Sequence, residues 1–205
     1  MIQTHLLNFN STQIHLAYFD ELEEDKMIKS LTLQECERLQ SYTSAHRRKE
    51  FLVTRWLYQQ AIGGPSISYT ETGAPQVENA NISISHTRGA VGIAYNADFR
   101  VGIDLEYPSS RILKLAHKFI SEREADLIEL TDYNTLTQIW CAKETLYKLA
   151  GIPGLDFKKQ LEVNFHNSTT LLGKIYHQGK TMSTSLTCSL HDGLILVTNT
   201  EPLVG

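Results

Sequence analysis

Residues 82–106 read ISISHTRGAVGIAYNADFRVGIDLE, and this stretch decides the fold. It holds three short β-rich runs, at 82–86, 90–95 and 100–106, with a turn at Asn96–Asp98. That is the signature of half-buried strands. Helical periodicity lies on either side. Before it, residues 44–62 carry Phe51, Leu52, Arg55, Trp56 and Gln59 at helical spacing, stopped by Gly63-Gly64. After it, residues 111–149 return to helix, with Ser121 and Glu124 as a capping box. Further out, residues 12–19 (TQIHLAYF) alternate as an edge strand. Residues 20–43 hold one or two short helices, with Thr32 and Glu35 as a second capping box. Residues 66–70 are β-rich. The tail reads as strands at 161–166, 170–177, 182–191 and 193–198, with Asp192-Gly193 as a hairpin turn. The order strands, helices, strands, then helices, strands predicts an α+β fold in two halves, 1–98 and 99–205.

Composition narrows the function classes. The chain has 205 residues, 41% hydrophobic and 20% charged, which suits a packed core and not a disordered chain. No apolar run approaches the roughly 18 residues of a membrane span. The N-terminal stretch lacks a basic segment followed by an apolar one, so no signal peptide is expected. Three scattered cysteines, Cys36, Cys141 and Cys188, fit neither a disulfide framework nor a zinc knuckle and point to the cytoplasm. A net charge of −4 disfavours a general nucleic-acid binder. Any anionic ligand must meet local basic clusters.

Four constellations carry the chemistry. On a strand, side chains i and i+2 share a face. Asp104 and Glu106 therefore point the same way, while Ile103 and Leu105 point into a core. Two such carboxylates repel unless a proton or a hard cation such as Mg²⁺ lies between them; a solvated strand face is the other reading. On a helix, Trp140, Glu144, Tyr147 and Lys148 form one stripe, read either as a functional face or as a surface ion pair on a packing stripe. Ser83, Ser85 and Thr87 line one strand face, with His86 at the strand end; a phosphate contact and a structural histidine are both open. Arg47 and Arg48 open a helix. The helix dipole disfavours cations there, which points to phosphate recognition or simply to a solvated charged face.

Taken in order, the motifs R-R-x-E-F-L-x-x-R (Arg47 to Arg55), G-x-P (Gly73 to Pro75), S-I-S-H-T (Ser83 to Thr87), G-I-D-L-E (Gly102 to Glu106), F-I-S-x-x-E (Phe119 to Glu124) and W-x-x-K-E-x-x-x-K (Trp140 to Lys148) resemble the 4′-phosphopantetheinyl transferase superfamily. The likeness spans residues 44–150, and its last two motifs are the most specific. The length resembles the monomeric, two-lobed surfactin-synthetase-activating type, which implies two similar α+β lobes forming a pseudo-dimer with the active site in the cleft between them. The implied activity is that of a holo-acyl-carrier-protein synthase. It moves 4′-phosphopantetheine from coenzyme A to a serine of an apo acyl or peptidyl carrier protein and releases adenosine 3′,5′-bisphosphate. Mg²⁺ is the implied metal, with Mn²⁺ an alternative.

The resemblance also assigns residues. Asp104, Glu106 and Glu144 are implied metal ligands, and Glu144 and Lys148 the catalytic pair. Arg47, Arg48, Ser85, His86, Lys143 and Lys148 are implied to meet coenzyme A. One departure is Ala74, where the family often has lysine; Arg88 is a candidate substitute. The carrier protein is expected to dock on Arg111, Lys114, His117 and Lys118, interleaved with Leu113, Leu115 and Phe119. No nucleic-acid or membrane partner is expected. A metal-dependent phosphohydrolase and a non-catalytic binding homologue are the alternatives.

Overall fold

The computed structural model describes residues 1–64 and 66–205. Strands β1 (Ile2–Phe9) and β2 (Thr12–Phe19) form a hairpin, followed by helices α1 (Glu24–Ile28), α2 (Leu33–Ser41) and α3 (Ala45–Ala61). A small ribbon, β3 (Ser68–Tyr69) and β4 (Pro75–Gln76), precedes β5 (Asn81–Thr87), β6 (Ala90–Asn96) and β7 (Ile103–Glu106). A 3-10 turn at Ser110–Lys114 leads into α4 (Ala116–Phe119), α5 (Glu122–Ala125) and the long α6 (Tyr133–Ala150). Strands β8 (Leu161–Phe165), β9 (Thr170–His177), β10 (Lys180–His191) and β11 (Leu194–Asn199) close the chain. The fold is α+β, as expected. No helix among the described residues is long and apolar enough to cross a membrane.

Two antiparallel sheets organise the molecule. One has the order β1-β2-β6-β5, the other β7-β11-β10-β9-β8. Helix α3 covers the first sheet and α6 the second. Each sheet–helix pair has its own core: Leu52, Leu57, Val91 and Ile93 in the first, Leu136, Ile139, Leu146 and Ile195 in the second. A third core, with Ile14, Leu16, Ala94, Ile103, Leu105 and Leu196, joins the sheets where β7 runs beside β5.

Gly92 makes that junction possible. A Cβ there would lie 2.7 Å from Leu105 Cδ1 and 3.2 Å from Ile103 Cδ1, inside van der Waals contact.

Both capping boxes form, at Thr32/Glu35 and Ser121/Glu124. The Asp192-Gly193 turn joins β10 to β11, with both residues at positive φ (49° and 80°), the geometry of a type I′ hairpin.

Two expectations are corrected. Residues 12–19 are not an edge strand: β2 lies between β1 and β6, and β1 is the edge. In β1, His5, Leu7 and Phe9 turn toward the core while exposed Leu6 blurs the alternation. Residues 111–149 are helical in pieces rather than throughout. The Ser121 cap and the Asp132 cap help divide the region into a 3-10 turn, two one-turn helices and α6.

Candidate active site

Strand β7 is short but held on both sides. Ile103 and Leu105 are fully buried between the sheets, which turns Asp104 and Glu106 to the opposite face. Helix α6 crosses that strand closely because residue 102 is glycine. A Cβ there would sit 2.6 Å from the Thr145 carbonyl oxygen and 3.0 Å from Leu149 Cγ. Farther along α6, Trp140 lies between Phe119, edge-on with ring centroids 5.2 Å apart, and Phe157, stacked at 5.5 Å. Such pairs contribute about 0.5–1.5 kcal/mol each beyond burial. They fix the rotation of α6 and so the direction of Glu144 and Lys148, one and two turns on.

The geometry then follows. Lys148 Nζ donates to Asp104 Oδ1 at 2.8 Å and to the Ile103 carbonyl at 2.7 Å. From β5, Ser85 Oγ donates to Asp104 Oδ1 at 2.8 Å, and Thr87 Oγ1 to Glu106 Oε2 at 3.2 Å. Ser83 Oγ accepts from the Ile103 N–H at 3.2 Å. Three hydroxyls at two-residue spacing thus brace the acidic strand. Asp104 Oδ2 is buried with no hydrogen-bond partner.

The electrostatics match this crowding. Burial and then the Asp104 charge push the Glu106 pKa up, against a hydrogen bond from Thr87. Glu144 is pushed up to about 7, by burial first and then by Asp104, with Lys148 opposing. Beneath them, Cys141 is fully buried, and burial together with Asp104 and Glu106 drives its thiol pKa well up.

The cluster thus holds a buried carboxylate oxygen with no hydrogen-bond partner and two carboxyl groups whose pKa values burial raises. The donor set, all carboxylate oxygen, suits a hard divalent ion. Among the described residues, no three His, Cys, Asp or Glu side chains form a ready-made metal cluster. The residues therefore fit Mg²⁺ by chemistry rather than by a preformed cage.

A second cluster lies at the start of α3. Arg47 Nη1 sits 2.9 and 3.2 Å from the two ring nitrogens of His86 and 3.2 Å from Glu50 Oε2. Arg47 and His86 line a cavity of about 390 Å³ together with Arg38, Arg55 and Tyr69. Arg38 lies over the Tyr69 ring at 3.7 Å. Arg55 is buried in an ion pair with Glu35 at 2.8 Å. Gly73 and Pro75 line both this cavity and a larger one of about 1260 Å³, which reaches Tyr147 and Lys148.

The structure sorts the residues expected at the site. Lys148 meets Asp104 directly, and Asp104 and Glu106 lie near enough to Glu144 to push its pKa up. Arg47 and His86 come together, but Arg48 turns away, its Nη1 donating to the Leu39 carbonyl at 2.9 Å. Strand alternation puts Ser85 and His86 on opposite faces, and Ser85 Oγ bonds Asp104.

Lys143 points into the core. It is fully buried, and its Nζ donates to Phe119 O, Glu124 Oε2 and Phe157 O at 2.6, 2.8 and 2.9 Å. One residue from Glu144 is roughly 100° around the helix, which points it into the core. Burial lowers its pKa, against the Glu124 carboxylate. Phe119 is likewise core rather than surface, whereas Arg111, Lys114, His117, Lys118, Leu113 and Leu115 are exposed.

Sequence reasoning missed the bracing role of Ser83 and Thr87. Their alternation was visible, but not the strand they would face. It also gave no role to Glu50, although His46, Arg47 and Glu50 stand at i, i+1 and i+4. No curated protein matches the chain. The model of the 4′-phosphopantetheinyl transferase superfamily matches residues 100–196, the segment that holds Asp104, Glu106, Glu144 and Lys148.

Proposed function

We propose that the chain transfers 4′-phosphopantetheine from coenzyme A to a serine hydroxyl of an apo carrier protein, releasing adenosine 3′,5′-bisphosphate, and that it needs Mg²⁺. The reading includes a monomer of the two-lobed type. Residues 1–98 supply the nucleotide-phosphate contacts and residues 99–205 the acids and the lysine. What carries it is the meeting of Glu144 and Lys148 on α6 with Asp104 and Glu106 on β7, inside the segment that matches the superfamily.

Asp104, Glu106 and Glu144 would hold the divalent ion, which when bound supplies charge neutralisation at the pyrophosphate. The chain's own groups do the rest. The serine oxygen attacks the phosphorus that bears the pantetheine arm. The bond from that phosphorus to the nucleotide half breaks, and its electron pair leaves with adenosine 3′,5′-bisphosphate. Glu144 takes the serine proton, directly or through a water. Lys148, now on Asp104, lines the larger cavity, where it can donate to a phosphate oxygen. Arg47 and His86 hold the 3′-phosphate. The exposed Arg111, Lys114, His117 and Lys118, with Leu113 and Leu115 between them, form the carrier-docking face.

The test is intact-protein mass spectrometry of an apo acyl carrier protein mixed with the chain, coenzyme A and Mg²⁺. A gain of about 340 Da, one phosphopantetheine arm transferred by this chemistry, abolished by EDTA, supports the reading. Loss of coenzyme A to hydrolysis without any carrier would favour a phosphohydrolase. Binding without turnover would favour a non-catalytic homologue.

A further inference from the structure

Glu50 is the one charged side chain of the R-R-x-E-F motif whose part is still unexplained. It is 3% exposed, yet both carboxylate oxygens are engaged. Oε1 pairs with His46 Nε2 at 2.8 Å and with His86 Nδ1 at 3.3 Å. Oε2 accepts from Arg47 Nη1 at 3.2 Å. Burial alone would raise its pKa, but the hydrogen bond and charge of His86, then His46 and Arg47, hold it below the usual value. The exposures order the cluster in depth. The side chains of Arg47 and His46 are 55% and 51% exposed and that of His86 35%, while the Glu50 side chain is 4% exposed behind them.

We propose that Glu50 is a positioning residue that locks Arg47 of α3 and His86 of β5 into one anion-binding unit at the mouth of the smaller cavity. The inference rests on the transferase reading, which supplies the anion: the 3′-phosphate of coenzyme A. Arg47 and His86 come from different elements, and the guanidinium carries a permanent charge that an imidazolium beside it would oppose. Left alone they repel, and the half-exposed arginine explores many rotamers. A buried carboxylate bonded to both removes the repulsion and fixes the geometry. It also repels the phosphate, but from behind the cations and with both oxygens already satisfied, so orientation outweighs repulsion. The arrangement parallels the outer partners that orient ligating side chains in metal sites.

The experiment measures kcat and KM of the full chain with coenzyme A and with 3′-dephospho-coenzyme A, for wild type, Glu50→Gln, Glu50→Asp and Arg47→Ala, with Glu50→Gln also made in the Arg47→Ala background. Glu50→Gln is expected to raise KM for coenzyme A about tenfold, in line with outer-partner losses elsewhere, with kcat within about twofold and KM for the dephospho donor unchanged. Glu50→Asp keeps the charge and recovers part of the loss. In the Arg47→Ala background Glu50→Gln adds little, since its effect runs through Arg47. A fall in KM for coenzyme A, or an equal rise for both donors, overturns the proposal. If Glu50→Gln does not fold, Glu50→Asp carries the test: wild-type KM for both donors, or an equal rise for both, overturns it. A wild-type chain that turns over both donors equally well instead overturns Arg47 and His86 as the 3′-phosphate site, whatever Glu50 does.

Discussion

The two charged clusters are built in opposite ways. The β7–α6 cluster is sunk between a strand and a helix, crowded with like charges, and left with a buried oxygen that has no partner. The α3–β5 cluster is half exposed, with cations in front of a satisfied carboxylate. The first stores unfavourable electrostatics that a bound cation would relieve; the second is balanced before anything binds. Only the first falls within the segment that matches the superfamily. The difference separates the proposed chemistry from the proposed recognition. Damage to the first should act on turnover, and damage to the second on affinity for coenzyme A.

The largest effect should come from removing that stored charge. Asp104→Ala takes away the residue that Ser85 and Lys148 both grip. It should lower kcat by about a thousandfold or more, the scale of losing a preorganised electrostatic group. Glu144→Gln should cost about 10²–10⁴, the range for an acid–base group. Quench-flow or mass-spectrometric rates, with circular dichroism as the folding control, check both. Near-normal turnover in a folded Asp104→Ala protein would remove the site assignment altogether.

The cluster also depends on contact distance. Gly102→Ala adds one methyl where the Thr145 carbonyl is 2.6 Å away. Backbone cannot yield as a flexible side chain does, so α6 must shift. The expected cost is about 3 kcal/mol of stability, at the upper end for overpacking, with turnover falling as Glu144 and Lys148 move off β7. Urea unfolding together with kcat reads both. Gly102→Ala with unchanged stability would mean that the helix–strand contact is looser than the geometry implies.

The raised pKa of Glu144 gives a stability prediction with a definite sign. Its folded pKa, about 7, lies above the ordinary 4.5. Between those values the native state holds the proton more tightly than the unfolded chain does. Stability from this group is therefore full below pH 4.5 and lost as pH rises through 7. Glu144→Gln should make the metal-free protein more stable than wild type at pH 8 by about 2 kcal/mol, after a discount for partial exposure. The difference should vanish near pH 4. Millimolar Mg²⁺ should stabilise wild type at pH 8 and not the variant. Thermal melts at the two pH values decide it; a destabilised Glu144→Gln at pH 8 contradicts the desolvation argument.

What the sequence made legible was whatever depends on local period. The α+β order, both capping boxes, the Asp192-Gly193 hairpin and the shared face of Asp104 and Glu106 all follow from spacing over a few residues. What it hid depends on which elements meet. Lys143 and Glu144 are neighbours in a motif, and only the packing of α6 against Phe119 and Phe157 shows that one is core and the other faces β7. Ser85 looked like a phosphate ligand until β7 came to rest beside β5. Residues 12–19 looked like an edge because the irregular pattern of β1 concealed the strand outside it.

The smallest effects distinguish adjacent arginines in the recognition cluster. One residue apart on α3, Arg47 and Arg48 differ by roughly 100° in direction. Arg47 faces the cavity and Arg48 caps the end of α2 through the Leu39 carbonyl. Arg47→Ala should raise KM for coenzyme A about tenfold, equivalent to about 1.4 kcal/mol of binding, with kcat and stability little changed. Arg48→Ala should leave KM alone and cost about 1 kcal/mol of stability, one hydrogen bond to a carbonyl at a helix end. Arg88, exposed on the β5–β6 turn and absent from either cavity wall, should tolerate alanine with neither change. Should Arg48→Ala or Arg88→Ala move KM as far as Arg47→Ala does, the recognition surface is a diffuse basic patch. In that case the contrast with the buried carboxylate cluster is one of charge alone, not of built geometry.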